Sequence, residues 1–172
     1  MIGMSTNPVA DNFLSFSAKR MMLSQNEVSR CLDKLTEKQL WHRGGDYENS
    51  IGNLLLHLEG NIRQWILHGV DNQPDVRQRD EEFSLTPSIH SSVARAGFNA
   101  TLEEAAGVIA ALAPERLLSI IDPQPNGTWR HCTILEAIYK VVSHLEMHTG
   151  QIILLTKQLL ATDLDLSMPR KR

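Results

Sequence analysis

Apolar residues recur along the chain at alternating steps of three and four, the helical period, and no stretch sustains strand-like alternation. The expected fold class is therefore all-α. A first helix follows Asn7-Pro8, a cap and first-turn proline, and carries Leu14, Ala18, Met21, Gln25, Val28, Leu32 and Leu35 on one stripe. Thr36 and Gln39 form a capping-box pattern for a short turn of helix through Trp41, and Arg43-Gly44-Gly45-Asp46 breaks the chain. A second helix is expected from Ser50 to about Gly69, burying Ile51, Leu55, Leu58, Ile62 and Trp65 with His57 beside that stripe.

Residues 70–85 hold too many charges for a core element and read as a long crossover loop. Thr86-Pro87 signals the start of a third helix, which carries Phe98, Leu102, Ala105, Ile109 and Leu112 and ends at Pro114. Thr101 and Glu104 could form a second capping box within it, so a break there stays open. A connector with Pro123, Pro125 and Gly127 follows, in which Leu117 to Ile121 can be extended. Thr133 and Glu136 cap the fourth helix, whose seam is Ile138, Val141, Leu145, His148, Ile152, Leu155 and Leu159. These four amphipathic windows predict a four-helix bundle with a long crossover between the second and third helices, one domain over 1–160 and a polar, flexible tail over 161–172.

Composition narrows the classes. The chain has 172 residues, 42% hydrophobic and 22% charged, which is ordinary for one globular domain. Its formal charge of −3 lacks the basic excess expected of a phosphate-neutralising nucleic-acid binder. The longest run without an acidic or basic residue, Phe83 to Ala94, is rich in serine and too short to span a membrane. No basic residue precedes Lys19 and no apolar signal-like region is seen. The only cysteines, Cys31 and Cys132, give no disulfide framework, so a cytoplasmic location is expected.

The seven histidines change the picture because some of them are grouped. His144 and His148, four apart on the fourth helix, share a face with Cβ atoms about 5–6 Å apart. Two such rings can converge on one divalent ion at ~2.0–2.1 Å per nitrogen. Alone, the pair fits equally a hydrogen-bonded core histidine beside a boundary one. His57, flanked by Leu54, Leu55, Leu56 and Leu58, favours metal, because one ion satisfies three core-edge imidazoles at once. The H-E-x-x-H protease motif is absent: Glu146 is two residues from each histidine and points away from both, as Glu59 does from His57. The repeated glutamates of di-iron bundles are missing too.

Asn53-Leu54-Leu55-Leu56-His57-Leu58, followed by Ser143-His144-Leu145-Glu146-Met147-His148-Thr149-Gly150-Gln151, resembles the DinB/YfiT-like superfamily. The resemblance spans the four-helix layout of nearly the whole chain, including the Thr36–Trp41 turn and the crossover run Arg79-Asp80-Glu81-Glu82-Phe83. It implies a bundle that holds nickel or zinc through His57, His144 and His148. It also implies a possible thiol-dependent transferase or isomerase, since some relatives use a low-molecular-weight thiol such as bacillithiol, mycothiol or glutathione. Many relatives have no established activity.

Bottom-up chemistry is compatible with this. Three neutral imidazoles leave a divalent ion its full charge and open positions, which lower the pKa of bound water and hold a thiol as thiolate. Gln25, Asn61 and Gln151 are candidate pocket-lining or supporting groups; no general base can be placed. His68 lies about 16 Å along its helix from His57 and cannot share the ion. His42 and His131 fall in connectors, and His90 reads as a solvated first-turn residue. Cys31 and Cys132 read as inert buried thiols, and Asp71, Asp75 and Asp80 lack a calcium-loop pattern. Nucleotide-binding glycine loops and a G-x-S-x-G elbow are absent. The expected function is a metal-dependent thiol S-transferase or related hydrolase acting on a small electrophilic substrate. The alternatives are a non-catalytic bundle with a structural metal, and a plain interaction bundle, dimeric in one form.

Overall fold

The structure, a computed structural model, describes residues 7–84, 86, 89–121 and 131–166. Among these residues it is all-helical, with five α-helices and no strand. α1 (Pro8–Leu32) starts at Asn7, whose side chain accepts from the Ala10 amide, and Pro8 occupies its first turn. α2 (Glu37–Leu40) is a single turn with the Thr36–Gln39 capping box. α3 (Ile51–Ile62) opens on a second reciprocal box between Ser50 and Asn53 and passes into a π-helical turn over Arg63–His68. A 3-10 turn spans Arg79–Phe83. α4 (Ser91–Ala110) and α5 (Ile134–Leu160) complete the set, the latter with the Thr133–Glu136 box.

α1 packs against both α4 and α5, and α3 packs against the same two, so the four long helices close a ring. Its interior is filled by Leu14, Met21 and Val28 of α1, Leu55, Leu58 and Ile62 of α3, Phe98, Leu102 and Ile109 of α4, and Ile138, Val141, Leu145 and Ile152 of α5. At ~1.5–3 kcal/mol per fully buried large apolar side chain, these stripes rather than helix propensity hold the elements together.

Several expectations change. The third helix begins at Ser91, not at Thr86-Pro87, with His90 as its cap accepting from the Ser92 amide; Pro87 lies outside the described residues. Where the sequence leaves a break open at Thr101, the structure has one continuous helix, since that residue is fully buried and starts no new turn. Leu117 and Leu118 belong to a 3-10 turn (Pro114–Leu118), while Ile120 pairs with Thr133 in an isolated antiparallel bridge. Pro123, Pro125 and Gly127 lie outside the described residues. Residues 161–166, expected to begin a flexible tail, turn back after a left-handed Ala161: Leu164 is buried, and Arg30 donates to the Asp165 carbonyl at 2.7 Å. The remainder of that tail, 167–172, is outside the described residues.

On α5 the buried positions are Ile134, Ala137, Ile138, Val141, Leu145, Thr149, Ile152 and Thr156. The seam steps from Leu145 to Thr149, so His148 flanks it, half-buried, instead of occupying the core position expected. That displacement brings His148 to the rim of the helix ring facing α3.

Candidate metal centre

α3 and α5 bring three histidines together. His57 Nε2 lies 3.2 Å from His144 Nε2, His148 Nε2 lies 3.0 Å from the same atom, and one ring nitrogen of each falls within 4.8 Å of the others. The rings meet nearly edge to face, with centroids 4.4–5.1 Å apart. His57 is buried, while His144 and His148 are half-buried.

The far ring nitrogens differ in their partners. His57 Nδ1 is 2.8 Å from Glu82 Oε2. His148 Nδ1 is 2.6 Å from Gln151 Oε1. His144 Nδ1 is buried without a hydrogen-bond partner. Carboxylate and amide oxygens accept, so in its neutral form each of the first two rings carries its proton on Nδ1 and turns a bare Nε2 lone pair inward. In an Nε2–H form, His144 can donate to only one of them. Two lone pairs directed at one point, with donor nitrogens about the edge of a coordination polyhedron apart, fit a cation bound at ~2.0–2.1 Å from each. Burial, then His148 and His57, push His144 down to about 3. Burial also lowers His148, against the opposing hydrogen bond from Gln151. Both shifts favour the unprotonated imidazole that a divalent metal binds.

The crossover supplies the groups around His57. In the 3-10 turn, Asp80 and Glu81 face solvent while Glu82 is buried, and the Phe83 ring packs 5.0 Å from the His57 ring. Arg77 grips Glu82 in a two-pronged pair, Nε to Oε1 at 2.6 Å and Nη2 to Oε2 at 2.8 Å, and donates to Gln64 Oε1 at 2.5 Å. Burial pushes the Glu82 carboxyl up, but the hydrogen bonds from Arg77 and His57 outweigh it and hold the group below the usual carboxylate range. Asn53 donates to the Glu82 carbonyl at 2.9 Å, and Arg43 donates to Asn53 Oδ1 at 2.6 Å and to the Ser84 carbonyl at 2.5 Å. The capping residue of α3 thus also pins the crossover.

A cleft of about 1060 Å³ opens onto the centre, lined by His57, Asn61, Gln64, Trp65, Lys140, His144 and the crossover residues Asp75 to Glu81 apart from Val76. The π-turn after Ile62 carries Gln64 and Trp65, both buried. Lys140 stands over the Trp65 ring, 3.7 Å from its centroid. Asn61 lines the cleft one turn beyond His57, and Gln151 contacts His148. Gln25 does not line it: its amide donates to the Asn99 carbonyl and to Glu103 on α4, since that face of α1 turns toward α4. Glu146 pairs with Arg20 at 2.6 Å and Glu59 with Arg63 at 3.3 Å, away from the histidines. His68 contacts the Gln73 carbonyl, His90 contacts Glu37, and His42 and His131 are exposed. Cys31 and Cys132 are buried, and burial raises both thiols.

Sequence reasoning missed Glu82 and Arg77. Their only signal is the pair Glu82-Phe83, an acid beside an aromatic in an otherwise charged run, and a solvated loop shows the same.

Residues 8–172 match the family described as Protein of unknown function (DUF1572). The chain belongs to this family. No curated protein matches it. The DUF1572 match runs over all five α-helices and the crossover, so both walls of the cleft lie within it. The family description names no activity, and the functional reading of this DUF1572 chain rests on the site itself.

Proposed function

We propose that the protein is a four-helix bundle of the DinB/YfiT-like type and a divalent-metal-dependent enzyme, a thiol S-transferase or related hydrolase acting on a small electrophilic substrate. The observation that carries this reading is the convergence of His57, His144 and His148, two of which, His57 and His144, line an open cleft. A metal serving only to join α3 to α5 would need no such opening. His57, His144 and His148 are the ligands, and nickel or zinc is the ion the resemblance favours. When bound, the ion supplies Lewis-acid polarisation and stabilises hydroxide or a low-molecular-weight thiol in its ionised form.

The chain's own residues then divide the work. The histidines hold the nucleophile's site, which His57 and His144 open to the cleft. Trp65 gives the cleft an apolar wall, and Asn61 and Gln64 offer amides beside it for a polar substrate group. Lys140, one turn before His144, adds a cation on the same face, in position to attract a leaving group that develops negative charge. The absence of a disulfide pair suits a reducing cytoplasm, where such thiols are abundant.

Purified protein without a histidine tag should carry about one equivalent of divalent metal. The cobalt(II)-loaded form, titrated with glutathione, should develop a thiolate-to-metal absorption band, and glutathione should then be transferred to an electrophilic aryl halide. A cobalt spectrum indifferent to glutathione, cysteine and other small thiols would remove the transferase reading and leave a hydrolase or a metal with a structural role.

A further inference from the structure

We propose that Glu82 is the positioning residue of this centre: clamped by Arg77, it fixes His57 as a ligand and ties metal binding to the crossover turn that walls the cleft. The inference rests on the metal reading of the three histidines. It adds a residue and a coupling that the histidines alone do not imply.

Three observations converge on it. First, Glu82 meets His57 at Nδ1, the nitrogen opposite the one turned to His144 and His148. A carboxylate there lies on the wrong side of the ring to be a ligand. It can only orient the imidazole and raise the basicity of Nε2, the part such carboxylates play behind metal-bound histidines. Second, the carboxylate is built in. Glu82 and Arg77 side chains are 7% and 8% exposed, the pair is two-pronged, and Arg77 is itself anchored on Gln64. Arg77 Nη2 also lies 3.4 Å from His57 Nδ1 and would donate to it only if that nitrogen were bare, but the closer carboxylate at 2.8 Å can only accept, so it sets the tautomer with the proton on Nδ1. Third, α3 makes room for the pair. A Cβ added at Gly60 would overlap Glu82 Oε1 and stand 3.1 Å from Arg77 Nε. Glycine weakens a helix interior relative to alanine, and here it lets a buried carboxylate lie against the helix.

The consequence is a linkage. Arg77 and Glu82 sit at the two ends of the segment, Arg77 to Glu82, whose residues Arg77, Gln78, Arg79, Asp80 and Glu81 form one side of the cleft. Fixing His57 against an ion therefore also fixes that side, and a disturbed turn loosens the ligand. By reciprocity, whatever strengthens one strengthens the other.

The test uses full-length protein and zinc alone. Metal-free wild type and Glu82→Gln are titrated with zinc against a chromophoric chelator, with helical circular dichroism as the folding control. Glu82→Gln should bind zinc about 10–100-fold more weakly. Gly60→Ala, which keeps the charge but displaces the carboxylate, should weaken it in the same direction. Zinc should slow amide hydrogen exchange across 77–84 in wild type and lose that effect in Glu82→Gln. A folded Glu82→Gln with wild-type zinc affinity would overturn the positioning role while leaving the metal site standing. Wild type that binds no zinc would overturn the metal reading and this inference with it. A measurement on wild type alone guards against variants that fail to fold. Long-range proton–nitrogen correlation spectra of the metal-free protein should show His57 protonated on Nδ1, and the Nε2–H form would overturn the assignment.

Discussion

His57 and His148 direct the same ring nitrogen at the same point, yet the protein supports them differently. His57 is buried, and its outer nitrogen rests on a carboxylate held by an arginine from a distant segment. His148 is half-buried, and its outer nitrogen rests on the amide of Gln151, three residues along its own helix and exposed to solvent. The first arrangement depends on tertiary structure and charge. The second is local, neutral and open to replacement by water. A charge-assisted hydrogen bond is worth roughly twice a neutral one, so the centre should be stiff on its α3 side and adaptable on its α5 side. The adaptable side is where a metal site can shift as exogenous ligands come and go.

The most drastic way to probe the contrast is to delete each ring. His57→Ala and His148→Ala should both reduce bound metal from about one equivalent to near zero, measured by elemental analysis of protein purified without a histidine tag. They should separate in the metal-free state. His57→Ala withdraws a donor from the buried Glu82 carboxylate and should cost about 1–3 kcal/mol in urea unfolding. His148→Ala leaves Gln151 facing water and should cost less. Equal losses would mean that the two supports are equivalent after all.

The helical framework was legible in the sequence because its determinants are local. Asn7-Pro8, Thr36 with Gln39, and Thr133 with Glu136 are cap signals spaced within a single turn, and each caps a helix in the structure. His144 and His148 were legible for the same reason, since four residues on a helix share a face by geometry. What escaped was non-local or context-bound. Glu82 lies 25 residues from His57 and sits in a run whose composition is that of a solvated loop, so burial alone separates it from Glu81. Gln25 holds a regular position on the α1 stripe, but the stripe meets α4 there and not the cleft. The π-turn at Arg63–His68 contains no proline or glycine to announce it, and it packs against both α4 and α5.

Acid should expose the third histidine, the one with no support on its outer nitrogen. In the metal-free protein burial pushes His144 down to about 3, while in the unfolded chain it titrates near its ordinary value of about 6.5. A folded-state value below the unfolded one means the contribution is intact above pH ~6.5 and is lost as pH falls toward about 3. Glu82, also lowered when folded, adds a loss of the same sign below the ordinary carboxylate range. After allowing for partial exposure, His144 should account for about 1 kcal/mol of lost stability between pH ~7 and ~5, read from urea midpoints. His144→Asn should flatten the profile in that window, whereas zinc should raise the stability of the wild type and leave its profile at least as steep, because the metal-bound site takes up none of the protons that the unfolded chain does. An unflattened profile in the variant would place the acid sensitivity elsewhere.

The mildest perturbation discriminates most finely between the two supports. Gln151→Ala removes the acceptor from His148 Nδ1 but leaves that nitrogen within reach of solvent, so water can take the amide's place. The difference between a protein acceptor and a water acceptor is about 0.5–1.5 kcal/mol, or ~2–10-fold in zinc affinity. The Glu82 carboxylate has no such substitute, because it is buried between Arg77, His57 and the surface of α3 at Gly60. The order of effects is therefore fixed by solvent access as much as by charge, with Gln151→Ala weaker than Glu82→Gln. If Gln151→Ala were the more damaging of the two, the His148 side would be the rigid one, and the adaptable ligand would have to be sought on α3.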